Sequence, residues 1–356
     1  DRWCQDYDSV ICNRNPTLQK GSMPGMLVKF QEKYSTGLHL SSTGPLNADF
    51  DGDELTTHMM RYVLAIIEAR TFMNSTAICM SAHTSTPSAS LVYNAISGAY
   101  LLSKHGKLDE QYFVEGIMTT RGLGENIATL DKRLSHLADE GIVIEKFSGR
   151  SLISILFPED FWYENYSDPD NVVEIKNGIL IRGYLSKTTV GNSSNGIIQS
   201  LWKWGGQQAI FNFITNATFM FNWFDSWYGL TVSLEDCQLR KEDQKEVIKL
   251  LESNVKKTND EIESLPKLSE NASLFDKEDR EREIKNITDK YISEITKFVS
   301  NNIPDTNNIN IMAKSGAKGK AADTVKTIGL LGQIYVENLR PQKMISKGTR
   351  WLTYFS

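Results

Sequence analysis

Carboxylates crowd one short stretch of the chain, "LNADFDGDEL", which spans residues 46–55. Asp49, Asp51 and Asp53 stand at alternate positions, and a glutamate follows the last of them. Like charges a few ångströms apart repel one another, so a bound cation would stabilise this cluster. Ligands that offer only oxygen suit Mg²⁺, Mn²⁺ or Ca²⁺ better than zinc. Because Gly52 can adopt a positive φ, a tight turn could point all three aspartates inward.

A calcium loop of the EF-hand type fits the same stretch only in part. Its first ligands would be Asn47, Asp49 and Asp51, with Gly52 at the sixth position of the loop. The twelfth position requires a bidentate glutamate, but His58 stands there. No clear helix precedes the loop either, so we reject the EF-hand. A solvated acidic turn is the plain alternative, and the apolar residues interleaved with the acids argue against it.

Composition restricts the class of protein. The chain has 356 residues, 40% of them hydrophobic and 23% charged, as in ordinary globular proteins of two or three domains. Its net charge of −5 argues against a free-standing nucleic-acid binder, but not against a subunit of a larger assembly. The four cysteines include no C-x-x-C pair, which argues against a zinc site and a disulfide framework. Without a membrane-length apolar run or a signal peptide, we expect the cytoplasm or nucleus, not secretion or a membrane.

Hydrophobic periodicity predicts the elements around the acidic stretch. The first ~90 residues alternate apolar and polar side chains in short runs, which indicates β structure. Residues 54–72 carry apolar side chains at helical spacing, which predicts a helix there. Farther along, "VVEIKNGILIRGYL" predicts a short β patch within a mixed region. The aromatic run of residues 210–230 could stack on bases, but its helical spacing is more typical of a buried core.

Residues 238–300 are rich in charge and carry two apolar stripes at helical spacing. Pro266 should end the first helix, because proline disfavours a helical residue before it. The pattern predicts an antiparallel helical hairpin with solvated outer faces. The first stripe comprises Val247, Leu250, Leu251 and Val255, and the second Ile284, Ile287, Tyr291, Ile295 and Phe298.

"NADFDGDE" is similar to the catalytic motif of the largest subunit of multisubunit DNA-dependent RNA polymerases. Six further segments resemble other motifs of this family, in the same order along nearly the whole chain. The segments are "VICNRNPTLQKGSM" (10–23), "STPSASLVYNAISGAYLLS" (85–103), "FSGRSLISILFP" (147–158), "IKNGILIRGYLSKTTVGNSSNGIIQSLW" (175–202), "WYGLTVSLEDC" (227–237) and "KSGAKGKAADTVKTIGLLGQ" (314–333). Glu54 and "GLTVSLEDC" favour the eukaryotic, archaeal and large-DNA-virus branch. Abundant Asn, Lys, Ile and Ser, with several departures from the motifs, favour a viral or otherwise fast-evolving source, and a viral protein could also be packaged in a virion.

The resemblance implies an α+β fold with three regions. Residues 1–92 would form part of a double-psi β-barrel active-site domain, residues 93–237 a mixed α/β pore region, and residues 238–356 a funnel region with the helical hairpin. The family's six-stranded barrel would need strands from outside this chain. The motifs end before the family's bridge helix and trigger loop, so we expect a split subunit or a fragment that cannot catalyse alone.

The resemblance also implies a chemistry, nucleotidyl transfer to the 3′ end of RNA with two Mg²⁺ ions. Asp49, Asp51 and Asp53 would be the catalytic ligands of one ion, and the second would arrive with the nucleoside triphosphate. Arg14 and Asn47 would face the ribose of that nucleotide, and a structural salt bridge is the alternative role for Arg14. Lys318, in "SGAKGK", would approach its triphosphate as a point charge.

Partners follow from the same resemblance. They would be the second-largest polymerase subunit, the remaining parts of the largest subunit, the DNA template and the nascent RNA. Two alternatives stay open: a non-catalytic acidic scaffold that binds a divalent ion, and an RNA-templated polymerase with the same barrel fold. The presence of all three aspartates and Arg14 favours the catalytic interpretation.

Three positions depart from the family pattern. Gln19 stands where the family usually has a histidine after its N-R-x-P-[ST]-L motif. In "SGAKGKAADTVKT", Asp323 and Lys326 replace the usual asparagine and glutamine. These changes put finer roles of that loop in doubt and leave the acidic stretch untouched.

Overall fold

A computed structural model describes residues 3–81, 83–267 and 273–336. The strands are β1 (Ser9–Asn13), β2 (Gly25–Leu27), β3 (Thr56–Met59), β4 (Tyr163–Asn165), β5 (Val173–Lys176) and β6 (Ile179–Arg182). The helices are α1 (Thr43–Leu46), α2 (Val63–Thr71), α3 (Asn94–Lys104), α4 (Glu110–Met118), α5 (Gly124–Asp139), α6 (Gly149–Ser154), α7 (Lys187–Val190), α8 (Ile197–Tyr228), α9 (Lys241–Ser264), α10 (Leu274–Asn302), α11 (Asn308–Ser315) and α12 (Ala321–Ile328). This mixture of helices and small antiparallel sheets confirms the predicted α+β class.

The chain divides into two compact units. Among the described residues, one comprises residues up to 230 together with 314–318, and the other comprises residues 231–313 together with 319–336. None of the helices in the described ranges is long and apolar enough to cross a membrane.

The first unit begins with an antiparallel sheet in the order β2-β1-β3. β1 is central, and its Asn13 lies opposite Thr56 of β3. Alternate side chains of β1, Val10 and Cys12, are buried, as the period of a half-buried strand requires. α2 packs against β1 and β2. The β structure predicted for the first ~90 residues is therefore confirmed only for these three short strands; most of "GMLVKFQEKYSTGLHLS" lies outside them.

The prediction of one helix over residues 54–72 was wrong in its first part. Residues 56–59 form β3, and α2 begins only at Val63. The two threonines of "TTHM" are β-branched and favour a strand, and pairing with β1 satisfies their backbone. The predicted apolar stripe does not face a core either, since Val63 is 71% and Ile67 50% exposed.

The main core of the first unit lies where α3 packs against α8. Gly98 of α3 permits the close approach, because a Cβ there would lie 2.1 Å from the Phe221 carbonyl oxygen. Phe213, Phe221 and Phe224 of α8 are buried in this core. The core interpretation of the aromatic run is therefore confirmed for one face of α8, which kinks where Gly205 and Gly206 leave helical geometry.

A second small sheet, in the order β4-β5-β6, confirms the predicted β patch. Near it lies Arg133 of α5, which is only 2% exposed. Its guanidinium donates to the carbonyl oxygens of Asn126 (2.7 Å) and Phe157 (3.3 Å). Burial disfavours the charged form and lowers the pKa of this arginine.

The second unit contains the predicted antiparallel hairpin, built from α9 and α10. Asn254 of α9 donates to the Tyr291 carbonyl oxygen of α10 at 3.3 Å. Val247, Ile295 and Val299 form the buried seam between the helices. The first helix ends at Ser264, two residues before the proline, as predicted. Val255, placed in the seam by its spacing, is instead 52% exposed.

Candidate metal centre

The acidic loop, residues 47–55, connects α1 to β3. Asn47 ends α1 in the left-handed conformation, with φ 48° and ψ 42°, which asparagine tolerates better than most residues. Its backbone N–H donates to the Gly44 carbonyl oxygen at 3.0 Å. Gly52 has φ 118°, so the tight turn expected at this glycine is present. Most residues of the loop are exposed, so the loop lies at the surface.

Three aspartates lie exposed within this loop. Asp53 accepts the backbone N–H of Asp49 at 2.8 Å, which closes the turn. Asp49 accepts the N–H of the following residue, Phe50, through its Oδ1 at 2.9 Å. The carboxylates of Asp49 and Asp53 thus already serve as backbone acceptors within the turn.

Arg14 reaches the acidic loop from the segment after β1. Its Nε lies 2.6 Å from Asp53 Oδ2, and its Nη2 lies 3.1 Å from Asp53 Oδ1. This bidentate geometry is the strong form of a charge-assisted hydrogen bond. The two side chains are only 20% and 22% exposed. The antiparallel register of β1 and β3 produces the contact, because it places the residue after Asn13 beside the residues before Thr56.

The ion pair changes the acidity of both partners. The guanidinium of Arg14, and then the N–H of Asp49, hold the pKa of the Asp53 carboxyl below its ordinary value. The hydrogen bond to Asp53 raises the pKa of Arg14 in turn. Both groups are therefore charged at neutral pH, and each neutralises the charge of the other.

The residue types of the acidic loop suit Mg²⁺, but the conformation of the loop does not bring them together as ligands. Three carboxylates in one turn supply the oxygen ligands that Mg²⁺ prefers. However, no group of three or more His, Cys, Asp or Glu side chains within the described ranges is arranged to hold a metal. Asp53 is directed toward Arg14, so the guanidinium occupies the cation partner's place on this carboxylate. The metal site therefore stays a prediction. The types of residue in the loop suit Mg²⁺, but their arrangement does not form a metal site.

Lys318 lies elsewhere in the first unit. Its ammonium is 5.5 Å from the centre of the Tyr93 ring, a cation–π distance. Among the described residues, no hydrogen bond or ion pair joins Lys318 to the acidic loop. The structure therefore brings Arg14 to Asp53 but does not bring Lys318 or the Asn47 side chain to them.

The sequence left a structural salt bridge open as a role for Arg14 but did not indicate that Asp53 would be its partner. The signal that could have indicated it is the position of each residue next to a predicted strand. If the strands that carry these motifs pair in antiparallel register, the segments at their ends meet.

Comparison with known proteins places the whole chain in one family. Residues 1–75 match the family model described as RNA polymerase Rpb1, domain 2. Residues 79–237 match domain 3 of the same protein, and residues 242–356 match domain 4. The three matches are consecutive and together span nearly the entire chain.

Individual relatives come from viruses, archaea and eukaryotes. The chain is 27% identical, over 99% of its length, to a probable DNA-directed RNA polymerase II subunit RPB1 homolog of Invertebrate iridescent virus 6. It is 28% identical over 96% of its length to DNA-directed RNA polymerase subunit Rpo1N of Sulfolobus acidocaldarius. It is also 28% identical over 98% of its length to the DNA-directed RNA polymerase I subunit RPA190 of Saccharomyces cerevisiae.

The chain spans only part of each of these relatives, namely 35%, 40% and 23% of their lengths in the same order. The three consecutive domain models and the colinear motifs agree on which part this is. The chain thus belongs to the family of RNA polymerase largest subunits, of which it represents a central segment.

Proposed function

We propose that this chain carries the metal-binding catalytic centre of a DNA-directed RNA polymerase, which adds ribonucleotides to the 3′ end of a growing RNA. One observation supports the proposal above all. This chain belongs to the family, and its acidic loop contains Asp49, Asp51 and Asp53 at the surface. A chain that had lost catalysis would have no need to keep every one of these carboxylates.

The three aspartates would hold one Mg²⁺ ion, and a second would arrive with the nucleoside triphosphate. When bound, Mg²⁺ would supply a Lewis acid toward the attacking 3′ hydroxyl and positive charge toward the phosphates. The aspartates orient the site, because their short side chains leave the carboxylates close to a backbone turn fixed by the Asp49 N–H.

Arg14 would contribute in two ways. In this structure its guanidinium neutralises Asp53, which prevents repulsion among the carboxylates of the loop. The same side chain, with Asn47 of the loop, would donate hydrogen bonds to the ribose hydroxyls of the incoming nucleotide. Contact with a 2′ hydroxyl is how a protein distinguishes RNA precursors from DNA precursors.

Lys318 would attract the triphosphate from a distance. It is exposed, and its cation–π contact with Tyr93 leaves its charge unneutralised. Lysine serves as a point charge toward phosphate, so a role in nucleotide delivery fits its chemistry.

The architecture we propose follows the family. Residues 1–92 would contribute to a double-psi β-barrel, residues 93–237 would form a pore region, and residues 238–356 would form a funnel. The sheet β2-β1-β3 would be the chain's share of the barrel. The second-largest subunit and the rest of the largest subunit would complete the nucleotide site around DNA template and nascent RNA, in the cytoplasm or nucleus.

Primer extension tests this proposal. The assembly that contains this chain is given Mg²⁺, ribonucleotides and an RNA primer annealed to a DNA template, and in parallel the same primer on an RNA template. We expect extension on DNA, weak or no extension on RNA, and loss of extension in an Asp51→Ala version that still assembles.

Two results would overturn parts of the proposal. If the Asp51→Ala assembly extends the primer as well as the wild-type assembly does, the acidic loop is a non-catalytic scaffold. Faster extension on the RNA template would assign the centre to an RNA-templated polymerase instead.

A further inference from the structure

A small cavity of about 200 Å³ lies in the first unit, away from the acidic loop. Three cationic side chains line it, from the end of α3, the start of α6 and the end of β6. They are Lys104, Arg150 and Arg182, and we name the cavity they line the basic pocket. The function proposed above gives this pocket no role.

Lys104 is held in place by two aromatic rings. Its ammonium lies 4.5 Å from the centre of the Tyr100 ring and 4.6 Å from that of Tyr184. It also donates a hydrogen bond to the Tyr100 hydroxyl at 2.6 Å. Aromatic faces attract a cation without neutralising it, so the ammonium is positioned and keeps its full charge.

The two arginines also form no close ion pair, although Arg182 stands opposite Glu174 of β5 in the sheet. Arg150 donates to the Ile181 carbonyl oxygen at 2.9 Å through Nη1, which fixes the guanidinium against β6. Arg182 is the last residue of β6 and is exposed. Across the part of the chain that the structure describes, neither arginine nor Lys104 forms an ion pair with a carboxylate. Three cations around a cavity that has one lining carboxylate repel one another, and a bound anion would relieve that repulsion.

The opposite wall of the basic pocket is rigid. Asn171, which is 5% exposed, donates to the Tyr184 carbonyl oxygen and accepts the Tyr184 N–H, both at 2.9 Å. This pair of hydrogen bonds fastens the loop before β5 to the segment after β6. A pocket whose walls are fixed in advance loses little entropy when it binds a ligand.

Charge and volume define the ligand. Asp170 is the one carboxylate among the lining residues, so three cationic side chains face one carboxylate within the lining itself. Pockets for drug-sized molecules usually measure about 300–1,000 Å³, so about 200 Å³ suits a compact anion. We infer that the basic pocket binds a phosphate group, either inorganic phosphate or the phosphate of a nucleic-acid backbone or small ester.

Hydrogen–deuterium exchange on the intact protein that carries this chain tests the inference. Inorganic phosphate is added at millimolar concentrations, against sodium chloride at equal ionic strength because screening alone alters charged sites. We expect saturable protection of peptides that cover residues 168–172 and 182–184. A short DNA duplex, tested separately, identifies the source of the phosphate. If the duplex protects these peptides at a lower total phosphate concentration than inorganic phosphate does, the site binds a backbone phosphate.

Three single substitutions sharpen the test. Lys104→Gln and Arg182→Gln each remove one charge from the pocket and should weaken phosphate protection about fivefold, as expected for loss of one charge-assisted contact. Lys107→Gln removes an equal charge from a nearby surface position, 73% exposed and paired only loosely with Glu145, and should leave protection unchanged.

Two outcomes would overturn the inference. One is the absence of protection by either phosphate or DNA in the wild-type protein. The other is protection that Lys107→Gln weakens as much as Lys104→Gln and Arg182→Gln do, because that would indicate a general response to charge rather than binding in the pocket.

Discussion

At the residue scale, the acidic loop depends on a partner that its own motif does not contain. Arg14 stands 39 positions before Asp53 and yet forms a bidentate ion pair with it. Sequence motifs identified both residues and predicted separate duties for them, a ribose contact and a metal ligand. Their pairing depends on the register of β1 and β3, which a single local motif cannot specify.

Cys79, in the segment between α2 and α3, provides a test of how tightly that segment is packed. It is 3% exposed, and burial raises the pKa of its thiol to about 11. Because the thiolate is the reactive form, N-ethylmaleimide at pH 8 should modify Cys79 at least about 100-fold more slowly than a free thiol with a pKa of about 8.5. The rate should rise with pH until about pH 11, where the thiol ionises.

Timed labelling followed by mass spectrometry of peptides measures this difference within one sample. Cys4 and Cys237 are partly exposed and serve as internal controls. Modification of Cys79 as fast as Cys237 in the folded protein would contradict the buried environment described for it.

At the element scale, predictions succeeded where a periodic pattern and the tertiary structure demanded the same conformation. The hairpin of α9 and α10 was predicted from two long apolar stripes and a proline, each a strong local signal. β3 was missed because its four residues, "TTHM", are too short to show a period, and β1 determines their conformation. Val255 fitted the stripe by spacing but lies outside the seam, since α10 covers only part of that face.

The contact between α3 and α8 can be tested by replacing Gly98 with alanine, which adds one methyl group at the contact. A Cβ at Gly98 would lie 2.1 Å from the Phe221 carbonyl oxygen, so Gly98→Ala must push the helices apart. We expect a loss of about 3 kcal/mol in the free energy of unfolding, at the upper end for an overpacked core. Thermal unfolding measured by circular dichroism reports it.

Gly124→Ala is the matched control for that experiment. Gly124 begins α5, and a Cβ there would meet no atom within 4 Å. Because alanine favours helices over glycine, this substitution should leave stability unchanged or slightly higher. Equal stability of the Gly98→Ala and Gly124→Ala proteins would refute the close approach of α3 and α8.

The seam of the hairpin supports a second test at this scale. Ile295 is 2% exposed and packs against Val247, so Ile295→Ala should cost about 2–5 kcal/mol through lost burial and the cavity it leaves. Val255→Ala, at a 52% exposed position of α9, should cost under about 1 kcal/mol. Hydrogen exchange of α9 and α10 peptides distinguishes them, and similar effects of both substitutions would contradict the observed seam.

At the scale of the whole molecule, the chain corresponds to only a part of the much longer proteins to which it is similar. Its relatives are two to several times longer, and the described strands near the acidic loop form only a three-stranded sheet. The family, the order of the motifs and the α+β class could all be predicted from sequence, because motifs record local chemistry. The division of the chain into two compact units depends on long-range contacts and could not.

Catalysis by the isolated chain provides a test at this scale. We predict that the purified 356-residue chain gives no templated RNA synthesis with Mg²⁺, ribonucleotides and a primed DNA template, because other chains would supply much of the nucleotide site. The complete assembly, assayed beside it at the same concentration, is the positive control. Synthesis by the isolated chain above the background of an Asp51→Ala version would contradict this prediction.

The most direct test of the central claim, that the three aspartates of the acidic loop hold the catalytic metal ion, is iron-directed cleavage of the assembly. Fe²⁺ replaces Mg²⁺, and ascorbate with peroxide then generates hydroxyl radicals that cut the backbone beside the bound ion. We predict cuts within residues 46–55 that excess Mg²⁺ suppresses, that Asp51→Asn abolishes and that Glu54→Gln, which removes the same charge from the same loop, leaves intact. Cuts elsewhere, or equal cutting in both variants, would contradict the claim.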